Sequence, residues 1–338
     1  MKLAVSLPYA EGAMIPEEIV EFVERADDLG YHSVWAAEAW SFDAFQMLTS
    51  LIPHTSTIGL ATGIANVYSR TPALLGQSIA TLDMLSGGRA ILGLGTSGPQ
   101  VVEGWHGVPF DRPMQRQREA IEIVRTILRR ERLVHDGEVY RLDMGLKLIN
   151  HPVRDSVPIV LASLGPKNVE LTAEMADGWL PVLFSPDKAA SVWDEPLSAG
   201  RAKRSAELDD LEIIPSVACS VTDDPVTVKG FAKLGMALYL GGMGSREKNF
   251  YNKLFRRYGY VDEAKTVQDL YLDRKREEAV AAISDEMVDE VSAIGDAAYV
   301  KDRLAAYGEA GASVVNVSLL AFDQASRLTQ LEELAKLT

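Results

Sequence analysis

An α/β fold is predicted, in which eight parallel strands, each followed by a helix, close into a (β/α)8 barrel with a helical insertion between strands seven and eight. Three observations carry this. Apolar runs of strand length alternate with amphipathic stretches of helical length eight times along the 338 residues. Most of these runs are apolar throughout rather than at every second position, the mark of a parallel sheet covered on both faces. Eight is also the count at which such a sheet closes on itself, and the loops after its strands then gather at one face. No internal repeat, low-complexity tract or linker interrupts the chain, so residues 1–338 read as a single domain. That length exceeds the usual size for one core, but α/β barrels often do.

The first strand is read at residues 3–8. Pro16, Glu17 and Glu18 open a helix in which Ile15, Ile19, Phe22, Val23, Ala26 and Leu29 recur at helical spacing, and Gly30 ends it. The second strand, 33–37, stops at Glu38, Ala39 and Trp40, which puts a carboxylate at the end of a buried strand. A helix over 43–51 leads to Pro53. The third strand is 58–64. Its helix, 72–85, opens on Thr71-Pro72, and the fourth strand is 90–95. After Gly98 a loop carries Trp105, His106, Pro109 and Phe110. The helix over 114–130 then sets Ile121, Val124, Ile127 and Leu128 on one face. Val139, Tyr140 and Arg141 form a short accessory strand. The fifth strand is 158–162 with a helix over 168–176, the sixth is 178–183 with a helix over 186–206, and the seventh lies within 211–221. Asp224-Pro225 opens a helix to residue 240. The rhythm then breaks at Gly241, Gly242, Met243 and Gly244, and residues 245–291 read as helical with no strand. The insertion, about 241–295, has the length of a lid or a subunit contact. A helix over 296–311, the eighth strand at 313–319 and a helix over 325–337 complete the chain.

Composition bounds the function. Hydrophobic residues at 47% and charged residues at 24% describe an ordinary globular protein. A formal net charge of −14 argues against a nucleic-acid or anionic-membrane surface, while leaving room for a local basic pocket. One cysteine, Cys219, rules out an internal disulfide framework, and its apolar run favours a small buried hydrophobe over a nucleophile. No apolar run approaches the ~20 residues of a membrane span. The amino terminus enters a strand pattern without a signal peptide, so a cytoplasmic location is expected.

Gly93-Leu94-Gly95-Thr96-Ser97-Gly98 matches G-x-G-x-x-G after a strand. A dinucleotide fingerprint also needs a helix opening on those glycines and an acid about 20 residues on, at a strand end. Here Pro99, Gly104 and Pro109 intervene and Glu119 lies on a helix, so the Rossmann reading is set aside. A phosphate cradle of backbone N–H groups survives, because it needs only glycines that permit close approach. Glu38 reads either as a structural carboxylate capping a turn or as a group at the barrel mouth that contacts ligand or relays protons. His106 reads either as a general acid or base or as a solvated loop residue. Trp35, Trp40, Tyr68, Trp105 and Trp179 lie at or near strand ends. A planar aromatic ligand suits such surroundings, though singly each is more often core. His32, His54, His106, His135 and His151 show no metal-ligand spacing. No G-x-S-x-G elbow follows a strand, so neither a metal site nor a hydrolase is expected.

With these parts named, the chain resembles the luciferase-like monooxygenase superfamily of flavin enzymes. Within it, the chain is most similar to oxidoreductases dependent on the deazaflavin coenzyme F420. The resemblance covers nearly the whole chain. It is carried by Thr62-Gly63-Ile64 with the following Asn66 to Pro72, by Leu82-Asp83-Met84-Leu85-Ser86-Gly87-Gly88-Arg89, and by Leu92-Gly93-Leu94-Gly95-Thr96. Further on it includes Ala162-Ser163-Leu164-Gly165-Pro166, Ala176-Asp177-Gly178-Trp179 and the Gly241-Gly242-Met243-Gly244 insertion.

The resemblance implies a TIM barrel with an insertion and a non-prolyl cis peptide at Gly63-Ile64, bulging against one face of the cofactor ring. Thr62, Gly63, Ile64 and Asn66 carry over as cofactor contacts. Gly95, Thr96, Ser97 and Gly98 would run along the coenzyme tail, and Ser163, Leu164 and Gly165 would meet its phosphate through their backbone. Glu38 matches an acidic residue beside the ring. The next position holds a catalytic histidine in the sugar-phosphate dehydrogenases of the family but is Ala39 here. That departure argues against a glucose-6-phosphate dehydrogenase reaction and leaves Glu38 and His106, in that order, as proton-donor candidates. The implied chemistry is hydride transfer between the deazaflavin C5 and a small organic substrate, in a pocket built from Glu38, Trp40, Trp105, His106 and the insertion. The alternatives are an FMN-dependent monooxygenase working with a flavin reductase, and a non-catalytic flavin-binding protein. Family members are commonly homodimers, so a homodimer is expected.

Overall fold

The computed structural model describes residues 1–8 and 14–338. Eight parallel strand positions form the barrel wall: Lys2–Ser6, Ser33–Ala36, Gly59–Thr62, Ala90–Gly95, Ile159–Leu161, Gly178–Trp179, a seventh in two pieces (Glu212–Ile213 and Ser216–Val221), and Val314–Leu319. They pair in chain order, and the eighth returns to the first, with Val314 opposite Lys2. The curled sheet is joined at its seventh strand. Glu212 and Ile213 pair with Gly178 and Trp179 on one side, and Ser216 pairs with Asn316 on the other. Pro215, between the two pieces, has no N–H for the ladder. Its carbonyl accepts from Asn316 N at 2.9 Å, and Ser216 N donates to the Pro181 carbonyl at 2.8 Å. Those bonds carry the sheet past the proline.

The strands are apolar on both faces because both are covered. Ala4, Trp35, Ala61, Val160, Leu180, Ile214 and Val314 pack together inside the barrel, with Ile64, Ile91 and Ala162 against them. The alternate residues face the surrounding helices. Trp35 fills much of the lumen and satisfies its indole by donating to Ser33 Oγ at 2.9 Å. Cys219 is fully buried in the outer core, and burial pushes its thiol up to about 12. No helix among the described residues is long and apolar enough to cross a membrane.

The insertion corrects the expectation in one place. Its helices Phe250–Arg257, Val261–Leu272, Arg276–Ala281 and Asp285–Asp289 follow as read, but Ser292–Gly295 is a strand. It pairs in parallel with residues 218–221 of the seventh strand. The sixth strand ends at Trp179, which leaves that stretch an open edge, and four residues suffice to cover it. The loop after Gly98 also differs, since it contains the short helix Pro99–Gly104. The accessory strand read at Val139, Tyr140 and Arg141 is displaced: only Arg141 belongs to a strand, in the hairpin of Leu133–Asp136 with Arg141–Leu146, and Val139 and Tyr140 lie in its turn.

Two sequence features prove architectural. Gly87 takes the left-handed φ of 70° that ends the helix Pro72–Ser86. One turn earlier, buried Asp83 accepts from Arg154 N at 3.1 Å and Arg154 Nε at 3.0 Å, tying that helix to the segment before the fifth strand. Glu119 plays the same part for the hairpin. Its buried carboxylate accepts from the backbone N–H groups of Glu138 and Tyr140, both at 2.8 Å, and of Val139 at 3.1 Å. Burial opposes its charge, but the Gln115 amide and those three N–H groups outweigh it and hold the carboxyl below its ordinary range.

A folded-state value below the unfolded one means that Glu119 stabilises the fold above the unfolded carboxyl pKa and loses that contribution as pH falls through the folded one. Glu119→Gln should therefore cost about 2–4 kcal/mol at pH 7. In urea melts its deficit against the wild type should shrink steadily as pH drops below about 4.

Candidate active site at the barrel mouth

The third strand ends at Thr62. The chain then passes through Gly63-Ile64, whose peptide bond is cis as the resemblance implied, and pairs again as Ala65–Asn66 with Leu94 and Gly95 of the fourth strand. The surrounding residues are cut to admit this bulge. A Cβ on Gly63 would lie 3.0 Å from Trp35 Cβ, one on Gly93 would overlap the Thr62 carbonyl oxygen, and one on Gly95 would lie 2.6 Å from Ile64 Cδ1. Thr62 Oγ1 donates to the Gly93 carbonyl at 2.7 Å, and Gly63 N to the Ala36 carbonyl at 2.7 Å. So Gly93 and Gly95 are glycines because the neighbouring strand occupies their side-chain space. Gly98 is the N-cap of the helix Pro99–Gly104. Between them Thr96 is half-buried and Ser97 is exposed with φ 55°.

Asn66 follows the bulge and is 4% exposed. Its Oδ1 accepts from Tyr68 N at 2.9 Å, but its Nδ2 has no partner among the described residues. A buried amide donor left unspent is costly, and a ligand carbonyl or phosphate oxygen in the mouth would satisfy it.

Glu38 is 6% exposed and its oxygens are engaged. Oε1 pairs with Arg70 Nη1, and Oε2 accepts from Ser69 Oγ at 3.1 Å and from Asn66 N at 3.3 Å. Arg70 also meets Asp43 Oδ2 at 2.7 Å and lies over the Phe45 ring at 5.0 Å. The carboxylate therefore braces the loop after the third strand against the loop after the second. Neither Ser69 nor Arg70 was singled out from the sequence. The signal was present in the Asn66 to Pro72 stretch, but pairing across 32 positions is not visible in one chain.

Of the groups read as building the substrate pocket, Trp40 and Trp105 come together in a cavity at the short helix, while Glu38, His106 and the insertion do not line that cavity. Trp40 and Trp105, 56% and 66% exposed, line a cavity of about 290 Å³ with Gln100, Val101 and Gly104. His106 N donates to the Val101 carbonyl at 3.1 Å, and its half-buried ring leaves Nε2 without a partner among the described residues. A larger recess of about 580 Å³ lies between the helices Ala44–Leu51 and Pro72–Ser86, on the outside of the barrel, and takes no part in this site.

Ser163, Leu164 and Gly165 lead into the helix Pro166–Met175. Ser163 Oγ is spent on Thr172 Oγ1 at 2.8 Å and its carbonyl on the Trp179 indole at 3.0 Å. What this segment offers a ligand is thus backbone N–H at a helix N-terminus, a natural anion site. Phe250 of the insertion closes over it. Its Cε1 lies 3.3 Å from where a Gly165 Cβ would be.

The brace can be tested by a double-mutant cycle. Arg70→Ala should cost about 3–5 kcal/mol in urea unfolding, because it strands a buried carboxylate. Adding Glu38→Gln should recover part of that loss, and additive effects would mean the pair is not coupled.

Comparison with known proteins identifies the family and the fold. The luciferase-like monooxygenase family model matches residues 1–313. A Mycobacterium tuberculosis protein with the provisional name coenzyme F420-dependent oxidoreductase is 40% identical over 98% of this chain and 99% of its own. A 5,10-methylenetetrahydromethanopterin reductase of Archaeoglobus fulgidus is 29% identical over 88% of each. Among solved structures, the coenzyme F420-dependent tetrahydromethanopterin reductase of Methanopyrus kandleri superposes with a TM-score of 0.83 at 21% identity, over 99% of this chain and 97% of that one. The chain belongs to the luciferase-like monooxygenase family.

Proposed function

We propose that this protein is a coenzyme F420-dependent oxidoreductase that moves a hydride between the deazaflavin C5 and a small organic substrate. The single observation that carries the reading is the break in the third strand between Thr62 and Ala65, with the glycines at 93 and 95 that make room for it. It would set a backbone wall behind one face of a planar ring. The 40% identical mycobacterial relative supports F420 as the ring.

The residues fit that group in three ways. The buried Asn66 Nδ2 has a donor to spend. The stretch 95–98 gives a tail a backbone track, and the N-terminus of Pro166–Met175 offers donors to its phosphate. The bound deazaflavin would supply a carbon centre for two-electron chemistry. The chain's own part is then to orient and to exclude water. Gly63 and Ile64 back one ring face, and Trp40 and Trp105 flank the substrate side. Glu38 fixes the loop that carries Asn66. His106 Nε2 is buried and unspent whereas the Glu38 carboxylate is engaged, which makes His106 the proposed group to hold or release a proton.

Fluorescence titration should show tight F420 binding and little for FMN, and affinity for FMN alone would overturn the reading. Gly95→Ala pushes on the far end of the Ile64 side chain, which can yield without unfolding the barrel. It should weaken F420 about tenfold with only a small change in melting temperature.

A further inference from the structure

Across the lumen from the bulge stands a polar group that the cofactor reading leaves unused. Ala4, Ile214 and Val314 point into the barrel. Two residues further toward the mouth on strands one and eight, and therefore on the same face, come Ser6 and Asn316, and Ser216 joins them at the start of the second piece of strand seven. In register Ser216 lies opposite Asn316 and Asn316 opposite Ala4, so Asn316 reaches Ser6 diagonally, two residues on, where Ser6 lies opposite the inward-facing Trp35. Asn316 Nδ2 donates to Ser6 Oγ at 2.9 Å and to Ser216 Oγ at 3.1 Å. Asn316 is only 2% exposed, yet its Oδ1 has no partner among the described residues. The two serines are half-buried and receive these bonds, so each keeps its own hydroxyl proton to give. Turning the amide over exchanges the roles without removing the surplus: the serines would donate to Oδ1 and the Nδ2 protons would be left over.

Three polar residues from three strands, bonded to one another and holding unspent donors and an acceptor, form a cradle. We infer that Ser6, Ser216 and Asn316 bind the uncharged edge of a ligand that both accepts and donates hydrogen bonds. This rests on the reading of the mouth as a cofactor and substrate site. No member of the cradle is charged, and an ion seated there would find no counter-charge among these three, which penalises a carboxylate or phosphate. The matching chemistry is a lactam, a carbonyl or an alcohol. Two sources have it: the pyrimidinedione edge of the ring, and the oxygen of a neutral substrate.

The test uses the full chain and the variants Ser6→Ala, Ser216→Ala and Asn316→Ala. F420 is titrated first. Cyclohexanone, cyclohexanol and cyclohexanecarboxylate are then titrated into the F420-loaded protein. A roughly tenfold loss of F420 affinity with the melting temperature held assigns the cradle to the ring. An unchanged F420 affinity with a similar loss for the ketone or alcohol, but not for the carboxylate, assigns it to substrate. Variants that bind F420 and the neutral probes like the wild type overturn the cradle. Should Asn316→Ala not fold, the two half-buried serine variants decide. Should the wild type not bind F420 at all, the functional reading fails, and the cradle is judged by FMN and the neutral probes on the free protein.

Discussion

The close approach of the third and fourth barrel strands governs this site. The bulge at Thr62 to Ile64 takes up volume that side chains at positions 93 and 95 would otherwise fill. Overpacking a barrel wall costs about 1–3 kcal/mol even where neighbours can move, and a backbone carbonyl pressed against Gly93 has little freedom to move. Glycine there is a steric requirement of the wall. The same contact joins two functions. Ile64 rests on Gly95, and Val67 N donates to the Gly95 carbonyl at 3.1 Å. Gly95 is also the first residue of the stretch that runs along the mouth. On the proposed reading, the surface behind the ring and the track beneath the tail meet at this contact.

Around that contact the loops are held by a buried ion pair. Loops at strand ends are ordinarily the mobile part of a barrel. Here Glu38 receives Arg70, Ser69 and the Asn66 N–H, while Asp43 both pairs with Arg70 and caps the helix Ala44–Leu51 through Gln46 N at 3.1 Å. Removing two charges from water costs several kcal/mol, which their attraction roughly offsets. The arrangement therefore gives little net stability. What it does give is one position for Asn66, whose amide Nδ2 is unspent.

The strand count and the mouth were legible in the sequence because each is written locally, whereas the bulge at Gly63-Ile64 entered only through the family resemblance. Apolar runs mark the strands, Thr71-Pro72 opens a helix, and Gly87 closes it. What was not legible depends on contacts between distant segments. The G-x-G-x-x-G run looked like a ligand motif in its own right. Two of its glycines answer instead to a neighbouring strand some 30 residues earlier. Ser292–Gly295 is a strand only because the sixth strand stops short and leaves an edge. The role of Glu38 was left between two readings, and its partners Ser69 and Arg70 lie far along the chain. The cradle left a faint trace, since Asn316 is a lone amide in the apolar run Val314-Val315-Asn316-Val317. Its partners lie 310 and 100 positions away.

The two halves of the lumen differ in kind, and that difference bears on what can bind. The wall from strands two to five offers backbone, glycine and apolar side chains: Trp35, Gly63, Ile64 and Ala162. The wall from strands seven, eight and one offers two hydroxyls and an amide. Neither set of residues carries a charge. Arg70, at the mouth, is already committed to Glu38 and Asp43. The chain as a whole bears −14, so an anionic substrate would approach against the field and find no free cation among these residues to hold it. On the proposed reading, selectivity here comes from shape and from the direction of a few hydrogen bonds. That favours a small neutral molecule over a phosphorylated one, and it agrees with the alanine at position 39.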